Sequence, residues 1–312
     1  MMNLELFGNP IVYTPTSESD PLVQWTESGL YCAAGGFYID PHRVVDVAVV
    51  THAHSDHARR GSRQYYCERS GVGVLKSRLG TSIQVCGVPY REPFQLGRVK
   101  VSFHSAGHIL GSAQVRIESD GEVWVLSGDY KRDRDPSCEP FEVVECDTFV
   151  TEATFGTPKF VWEKNRNHGQ DISEWWAQNR AIGKNSLLFG YSLGKAQRIL
   201  AELAPYAARP VLVHASIEEI NRAYRSVGVK LATTLMIDHV PLHHRLVGEL
   251  ILAPPSILKT DWLSRLGSFE TAFASGWMQG QESRWGRAVR YDRGFVMSDH
   301  ADWNDLVHTI QQ

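Results

Sequence analysis

The chain has 312 residues, of which 43% are hydrophobic and 21% are charged, an ordinary composition for a globular enzyme of two domains or of one domain with a large insertion. Its net charge of −3 excludes a general attraction to nucleic acid or membranes, so a local basic lining would have to hold any polyanion. We find no signal-peptide pattern and no membrane-spanning apolar stretch, and the five cysteines are an odd number without C-x-x-C spacing. We therefore expect a cytoplasmic protein with reduced thiols and no membrane contact.

The N-terminal half begins with a series of short predicted strands. Residues 11–14, 30–31 and 37–39 are strand-like pieces separated by turn residues, and residues 44–50 form a continuous apolar run, as in a buried strand. Asp40, between the last two of these, is either a turn residue or a carboxylate that orients a ligand imidazole.

A dense cluster of potential metal ligands follows this run directly. His52, His54, Asp56 and His57 lie within six residues, at the C-terminal end of the predicted strand. Neutral imidazole and carboxylate are ligands that zinc prefers. His52 and His54, two residues apart on an extended loop, can face the same side, whereas Asp56 and His57 can face a second ion. Solvated loop histidines are the alternative interpretation, which the density of the pattern disfavours.

Further predicted strands also end in a histidine or an acidic residue. These strands and residues are 99–104 with His108, 123–126 with Asp129, 149–151 with Glu152, and 294–297 with His300. Each residue alone has a simple alternative, as a loop histidine, a turn residue or a solvated strand end. Their shared position after strands indicates that they converge on one site.

From about residue 156, helical patterns alternate with short apolar runs. The helical patterns cover residues 171–180, 195–206, 217–226 and 256–266, and the apolar runs cover 186–189, 210–213, 250–252 and 271–274. This alternation predicts βαβ units and a mostly parallel sheet, and residues 303–310 predict a closing helix. The absence of a G-x-G-x-x-G fingerprint and of Walker spacing disfavours nucleotide cofactors.

Two segments are candidates for contact with phosphate. Ser192, Gly194 and Lys195 lie at the start of a predicted helix, where backbone N–H groups favour an anion; a simple strand–helix turn is the alternative. Arg287 and Arg290 stand among aromatic residues, as in surfaces that bind a nucleic-acid backbone; an edge strand that carries arginines is the alternative.

Together these residues suffice for two metal ions that share one carboxylate. We assign His52, His54 and His108 to the first ion, Asp56, His57 and His300 to the second, and Asp129 to both. Two ions roughly 3.5–4 Å apart can activate a water and support displacement at phosphorus. The predicted catalytic residues are Asp56, Asp129, Glu152 and His300. No G-x-S-x-G or H-E-x-x-H pattern supports a serine hydrolase or a zinc protease.

The H-x-H-x-D-H pattern at residues 52–57 resembles the signature of the metallo-β-lactamase superfamily, and the chain looks more specifically like its β-CASP nuclease branch. The superfamily's ligand segments match at Asp40, residues 52–57, His108 and Asp129. The acidic and final histidine motifs of the branch match at Glu152 and His300. Residues 29–41, 192–197 and 274–278 are similar to bacterial ligase-associated DNA exonucleases.

This resemblance implies an α/β fold in which an αββα sandwich carries the metals and a β-CASP cap is inserted. The sandwich would comprise residues 1–155 and 291–312, and the cap residues 156–290. The implied activity is that of a zinc-dependent DNA exonuclease, 5′-to-3′, in repair alongside a DNA ligase, with manganese as another usable metal. An RNA-processing nuclease and a small-molecule metallohydrolase are the alternatives. No histidine lies between His244 and His300, where some relatives carry one, so the general acid is unassigned.

Overall fold

The computed structural model describes residues 21–241, 243–259, 261–279 and 291–312. The predicted strand at residues 11–14 lies outside them. Within the described residues the strands form three sheets, of six, five and six strands. Five α-helices of the same residues accompany them, so the predicted mixed α/β fold is confirmed.

The first sheet contains six strands in sequence order. They are β1 (Gln24–Thr26), β2 (Gly29–Cys32), β3 (Phe37–Ile39), β4 (Val47–Val49), β5 (Gln64–Glu68) and β6 (Val85–Val88). The first three are antiparallel, whereas β3 to β6 pair in parallel, and helix α1 (Val72–Leu79) connects β5 with β6. The strand predicted at residues 44–50 is thus shorter in the structure, where it corresponds to β4.

The second sheet is mainly antiparallel. Its strands are β7 (Phe94–Leu96), β8 (Val99–Ser105), β9 (Ala113–Ser119), β10 (Glu122–Leu126) and β11 (Thr148–Val150), in the order β11-β10-β9-β8-β7. A tight hairpin joins β9 to β10. Its two central residues, Asp120 and Gly121, have φ of 50° and 87°. Positive φ at both positions is the requirement of a type I′ turn, and an Asp-Gly pair meets this requirement well.

The third sheet lies in the C-terminal half, and all its pairings are parallel. Its strands are β12 (Asn185–Phe189), β13 (Val211–Val213), β14 (Thr234–Met236), β15 (Leu250–Ala253), β16 (Phe269–Ala274) and β17 (Arg293–Phe295), in the order β14-β13-β15-β12-β16-β17. The helices α2 (His168–Ala181), α3 (Lys195–Leu203) and α4 (Ala215–Ser226) accompany it, and α5 (Trp303–Gln311) closes the chain. This agrees with the predicted parallel sheet.

Two details differ from the sequence-based expectation. Residues 256–266 do not form an α-helix; two short 3₁₀ helices, Pro255–Lys259 and Asp261–Arg265, are found there. Runs of 3₁₀ helix are usually only a few residues long, as they are here. In addition, β17 pairs with β16, so the third sheet extends beyond residue 290. The domain limits themselves remain a prediction.

Apolar side chains join these layers. One buried cluster lies between the first two sheets and contains residues of both, such as Phe37 and Val49 from the first and Val101 and Val115 from the second. The opposite face of the first sheet packs on α1 and α4. The faces of the third sheet bury two further clusters. Helix α4 accompanies the third sheet and also packs on the first sheet. It therefore holds the third sheet beside the loops that follow the strands of the first and second sheets.

None of the described helices combines the length and apolar content that crossing a bilayer requires.

Candidate metal centre

The loops that follow five strands meet at one place. Residues 51–57 follow β4, His108 follows β8, Asp129 follows β10, Glu152 follows β11 and His300 follows β17. Backbone hydrogen bonds connect these loops: Ala113 N–H donates to the Thr51 carbonyl at 2.8 Å, and Ala301 N–H donates to the Tyr130 carbonyl at 2.7 Å. Residues from both ends of the chain are therefore held together by the backbone itself.

Four side chains form a compact first group: His52, His54, His108 and Asp129. His54 Nδ1 lies 3.0 Å from His52 Nε2 and 3.1 Å from His108 Nε2. Asp129 Oδ2 lies 3.4 Å from His52 Nε2 and 3.7 Å from His108 Nε2. Four ligands of a tetrahedral zinc ion, with bonds of about 2.0–2.1 Å, would be about 3.3–3.4 Å apart. The spacing of this group fits such an ion.

In each of the three histidines of the first group, the ring nitrogen that points away from the other ligands (the outer nitrogen) fixes the tautomer. His108 Nδ1 donates to the Asp299 carbonyl at 2.7 Å, and His54 Nε2 donates to the Leu193 carbonyl at 3.2 Å. His52 Nδ1 lies 3.1 Å from Thr51 Oγ1, whose own proton goes to Asp40. Since each outer nitrogen carries the proton, the three inner nitrogens present lone pairs to one another. Converging lone pairs repel unless a cation lies between them, so the group is suited to a metal.

A second group lies on the other side of Asp129. It contains Asp129, Glu152 and His300, with His300 Nδ1 3.0 Å from Glu152 Oε2 and 4.0 Å from Asp129 Oδ2. His57 adjoins it, since His57 Nε2 lies 3.5 Å from Asp129 Oδ1 and 3.8 Å from Asp56 Oδ2. Asp129 is thus placed between the two groups, in the position predicted for a shared carboxylate.

Charges differ between the two groups. Burial lowers the pKa of His54 and of His108, and burial together with the neighbouring His57 lowers that of His52 to about 3, so these rings are neutral at pH 7. Burial would also lower the pKa of His57 and His300, but Asp40 raises that of His57 to about 9 and Glu152 raises that of His300 to about 9. The second group therefore attracts positive charge, as a protonated ring or as a metal ion.

Asp40 holds the orientation of this side of the site. Its Oδ2 accepts from His57 Nδ1 at 2.7 Å and from Thr51 Oγ1 at 2.6 Å, and its Oδ1 accepts from Thr51 N–H at 2.8 Å. Asp40 has a φ of 44°, in the left-handed region that an aspartate tolerates better than most residues. The structure thus places Asp40 where the sequence predicts an orienting carboxylate.

The grouping differs in two respects from the assignment made from sequence. Glu152 lies within ligand reach of His300 and Asp129, although the sequence-based assignment includes it only among the catalytic residues. Asp56 lies at the edge, with 76% of its side chain exposed. The sequence pattern does not show which of the two acids is a ligand, because Asp56 and Glu152 both stand in a loop that follows a strand.

A cleft of about 730 Å³ opens over the two groups. Residues from both halves of the chain line it, among them Asp56, Arg78, Tyr191, Ser192, Ser216 and Trp277. Arg78 Nη1 donates to the Ala53 carbonyl at 2.8 Å, which places its cation beside the ligand loop. Arg78, Ser216 and Thr51 are not among the residues predicted from sequence; only Thr51 carries a signal there, its position next to His52.

The residues predicted to contact phosphate have different environments. Ser192 lines the cleft, and its hydroxyl lies 2.9 Å from that of Ser216. Gly194 N–H donates to Gln197 Oε1 at 2.8 Å, and the buried Lys195 donates to Asp299 Oδ1 at 2.7 Å. These contacts do not favour a phosphate role for Gly194 and Lys195, because their donors are bound to protein oxygens. Arg287 and Arg290 lie outside the described residues.

Comparison with known proteins gives relatives but no protein-family model that matches. A probable DNA ligase from Opitutus terrae is 30% identical over 287 residues, which are 91% of this chain and 27% of that protein. An RNase J-like protein from Methanocaldococcus jannaschii is 25% identical over 187 residues, 53% of this chain and 44% of that protein. Further relatives are named endoribonuclease and ribonuclease.

These relatives support the metallo-β-lactamase/β-CASP superfamily. They do not single out a branch of it. The chain spans less than half the length of either of the two curated relatives described above. A crystal structure of a protein of unknown function from Enterococcus faecalis has a TM-score of 0.55 at 14% identity, covering 85% of this chain and 72% of that one, and shows similarity of fold alone.

Proposed function

We propose that the chain is a metal-dependent phosphodiesterase that cleaves nucleic acid. The observation that carries this proposal is the convergence of three imidazole lone pairs and a carboxylate in a cleft of about 730 Å³. The cleft is also lined by Arg78 and by the hydroxyls of Ser192 and Ser216, which are groups that can contact a phosphate backbone. The nuclease names of several relatives point in the same direction.

In this proposal His52, His54, His108 and Asp129 hold one zinc ion, and Asp56, His57 and His300 hold a second one that shares Asp129. When bound, such a pair of ions activates water and neutralises phosphate oxygens; manganese could serve as well. The chain's own contribution is orientation: Asp40 and Thr51 fix the rings of His57 and His52, and Glu152 Oε2 lies 3.0 Å from His300 Nδ1.

Arg78 and Ser192 lie in the cleft wall, where they can contact the backbone of a strand. We further propose that residues 1–155 and 291–312 form a metallo-β-lactamase sandwich, and that residues 156–290 form a β-CASP cap. Five of the six strands of the third sheet, β12 to β16, lie within residues 156–290 and support this division, whereas β17 pairs with β16 although it lies within residues 291–312.

DNA is the proposed substrate, degraded from the 5′ end during repair together with a DNA ligase. The similarity to a probable DNA ligase supports this choice, because it covers 91% of this chain but only 27% of that protein. A segment similar to this chain is therefore joined to other sequence in a protein named for DNA joining. RNA processing is the second candidate, because an RNase J-like protein matches 53% of the chain.

Digestion of end-labelled strands tests the proposal. Single- and double-stranded DNA and RNA, labelled at the 5′ or the 3′ end, are incubated with the protein in zinc or in manganese. We expect DNA to be shortened from its 5′ end. Exclusive cleavage of RNA would establish the second candidate instead, and activity that survives removal of all metal would contradict both.

The matched control is Asp129→Asn, which keeps the shape of the side chain but removes the charge shared by the two groups. We expect its cleavage rate to fall by more than about 100-fold, the upper end of the loss seen for residues that only support a metal ligand. An unchanged circular dichroism spectrum would show that the fold is retained.

A further inference from the structure

A buried cluster of charged side chains lies behind the metal centre, on the side of α3. This ion cluster consists of three cations and three carboxylates: Lys131, Asp135, Lys195, Arg198, Glu202 and Asp299. All but Glu202 are buried. Burial of so many charges is expensive unless each is paired, and it contributes little net stability even then. The ion cluster therefore calls for an explanation other than stability.

Two cations of α3 hold a short stretch of backbone after β17. Lys195 Nζ donates to Asp299 Oδ1 at 2.7 Å and also to the Met297 carbonyl. Arg198 Nη1 donates to the Ser298 carbonyl and lies 3.4 Å from Asp299 Oδ1. Three consecutive residues are thus fixed by charged donors from one helix.

This stretch of backbone carries part of the metal centre. The Asp299 carbonyl accepts from His108 Nδ1 at 2.7 Å, and the opposite nitrogen of that ring lies 3.1 Å from His54 Nδ1. The next residue, His300, belongs to the second group. A displacement of Asp299 by a fraction of an ångström would therefore move one potential ligand in each group.

We propose that Lys195 and Arg198 are positioning residues that set the geometry of the metal centre through the backbone of residues 297–299. This inference rests on the proposed function, which it deepens by assigning α3 to the support of the ligands. The role differs from a contact with phosphate, because the Lys195 ammonium already has two protein acceptors. It also explains why two cations, Lys195 and Arg198, are buried in the first turn of α3.

Metal affinity provides the test, because it is measured without any substrate. The metal-free protein and its Lys195→Met variant are titrated with Zn²⁺ against a chromophoric chelator, and with Co²⁺ to record the absorption spectrum of the bound ion. We expect the variant to bind Zn²⁺ about 10–100-fold more weakly, the usual cost of losing a group that orients a ligand. The Co²⁺ spectrum should change as well.

The matched control is Glu202→Gln. Glu202 belongs to the same ion cluster and contacts Arg198 Nε at 2.8 Å, but the hydrogen bonds that hold residues 297–299 come from other side chains. We expect its Zn²⁺ affinity to equal that of the wild type. Equal losses in both variants would overturn the proposal, since they would show a general loss of stability. Unchanged affinity in Lys195→Met would overturn it too.

A second variant covers the case in which Lys195→Met fails to fold. In Lys195→Met, Arg198 Nη1 at 3.4 Å is the remaining ion-pair partner of Asp299 among the described residues. The double variant Lys195→Met with Asp299→Asn removes both charges of the pair, yet it still lacks the bond to the Met297 carbonyl. Restored folding with weakened Zn²⁺ binding supports the proposal, whereas restored folding with normal binding overturns it.

The outcomes also separate this inference from the proposed function. Normal metal affinity with a raised KM for DNA in Lys195→Met would assign Lys195 to the substrate and overturn the positioning role. Conversely, a protein whose metal affinity depends on Lys195 but that cleaves neither DNA nor RNA would support the inference and refute the proposed function.

Discussion

The hydroxyl of Thr51 connects the two halves of the metal centre. It donates to Asp40 Oδ2 at 2.6 Å and lies 3.1 Å from His52 Nδ1, for whose proton it is the acceptor. Asp40 in turn accepts from His57 Nδ1 at 2.7 Å. One side chain therefore fixes the tautomer of a ring in the first group and supports the carboxylate that orients a ring in the second.

Thr51→Val tests this connection with almost no change of shape. The substitution leaves His52 Nδ1–H buried without an acceptor and removes one donor from Asp40. We expect Zn²⁺ affinity to fall about 10–100-fold, as for other groups that orient metal ligands. Competition with a chelator measures the change. Thr51→Ser, which keeps the hydroxyl, should bind Zn²⁺ like the wild type, and normal binding by the valine variant would contradict the role given to Thr51.

The potential ligand residues can be recognised in the amino-acid sequence, but most of the groups that orient them cannot. A dense pattern of histidines and carboxylates indicates metal binding more than any other function, so His52, His54 and His108 are recognisable from the sequence alone. Their acceptors include the carbonyls of Leu193 and Asp299, and a backbone carbonyl gives no signal in a sequence. Lys195 stands out at the start of a predicted helix, yet its burial against Asp299 depends on a contact between residues over 100 positions apart.

At the scale of elements, two features of the C-terminal half are not predicted from the sequence: strand β14 lies outside the predicted apolar runs, and residues 256–266 do not form an α-helix. The apolar runs of β12 and β15 are continuous because both strands are buried on both faces, and this makes them visible in the sequence. Residues 255–265 contain apolar side chains at helical spacing, but they form two 3₁₀ turns. Periodicity alone does not distinguish these turns from an α-helix, because the decision depends on packing against the third sheet.

The contact between α2 and α3 depends on a glycine that has no role in the site. A Cβ added at Gly169, in the first turn of α2, would lie 2.0 Å from the Glu202 carbonyl oxygen near the end of α3. No real Cβ approaches a backbone oxygen so closely, and neither partner is a flexible side chain. Gly169 therefore sets the distance between these helices, and with it the position of the charged first turn of α3.

Gly169→Ala should destabilise the protein although alanine is the better helix former. Helix propensity alone would favour alanine by about 0.5–1 kcal/mol, but separating the helices should cost about 1–3 kcal/mol, as overpacking usually does. Urea unfolding gives the difference in free energy of unfolding. Gly73→Ala is the control: that helical glycine of α1 would bring its Cβ to 3.3 Å from Ala223 Cβ, so we expect a much smaller change. A neutral effect at Gly169 would show that α2 can shift freely.

At the scale of the whole molecule, the metal centre joins segments that are far apart in the chain. Its potential ligands begin at His52 and end at His300, and the cleft above them is lined from the third sheet as well. The complete set is brought together only by folding, so an ion that binds to all of it stabilises the folded state.

Removal of metal should therefore lower the melting temperature of the wild-type protein. At a free metal concentration 1,000 times the Kd, binding to the folded state adds about 4 kcal/mol per site. In domains of about 150–250 residues each kcal/mol corresponds to about 2–4 °C, and somewhat less is expected for this longer chain, so we predict a fall of about 5–10 °C in excess chelator for each site that is occupied. Asp129→Asn, which loses the carboxylate placed between both groups, should melt at nearly the same temperature with and without chelator. Equal melting temperatures of the wild type in zinc and in chelator would show that these histidines and carboxylates hold no ion that stabilises the folded protein.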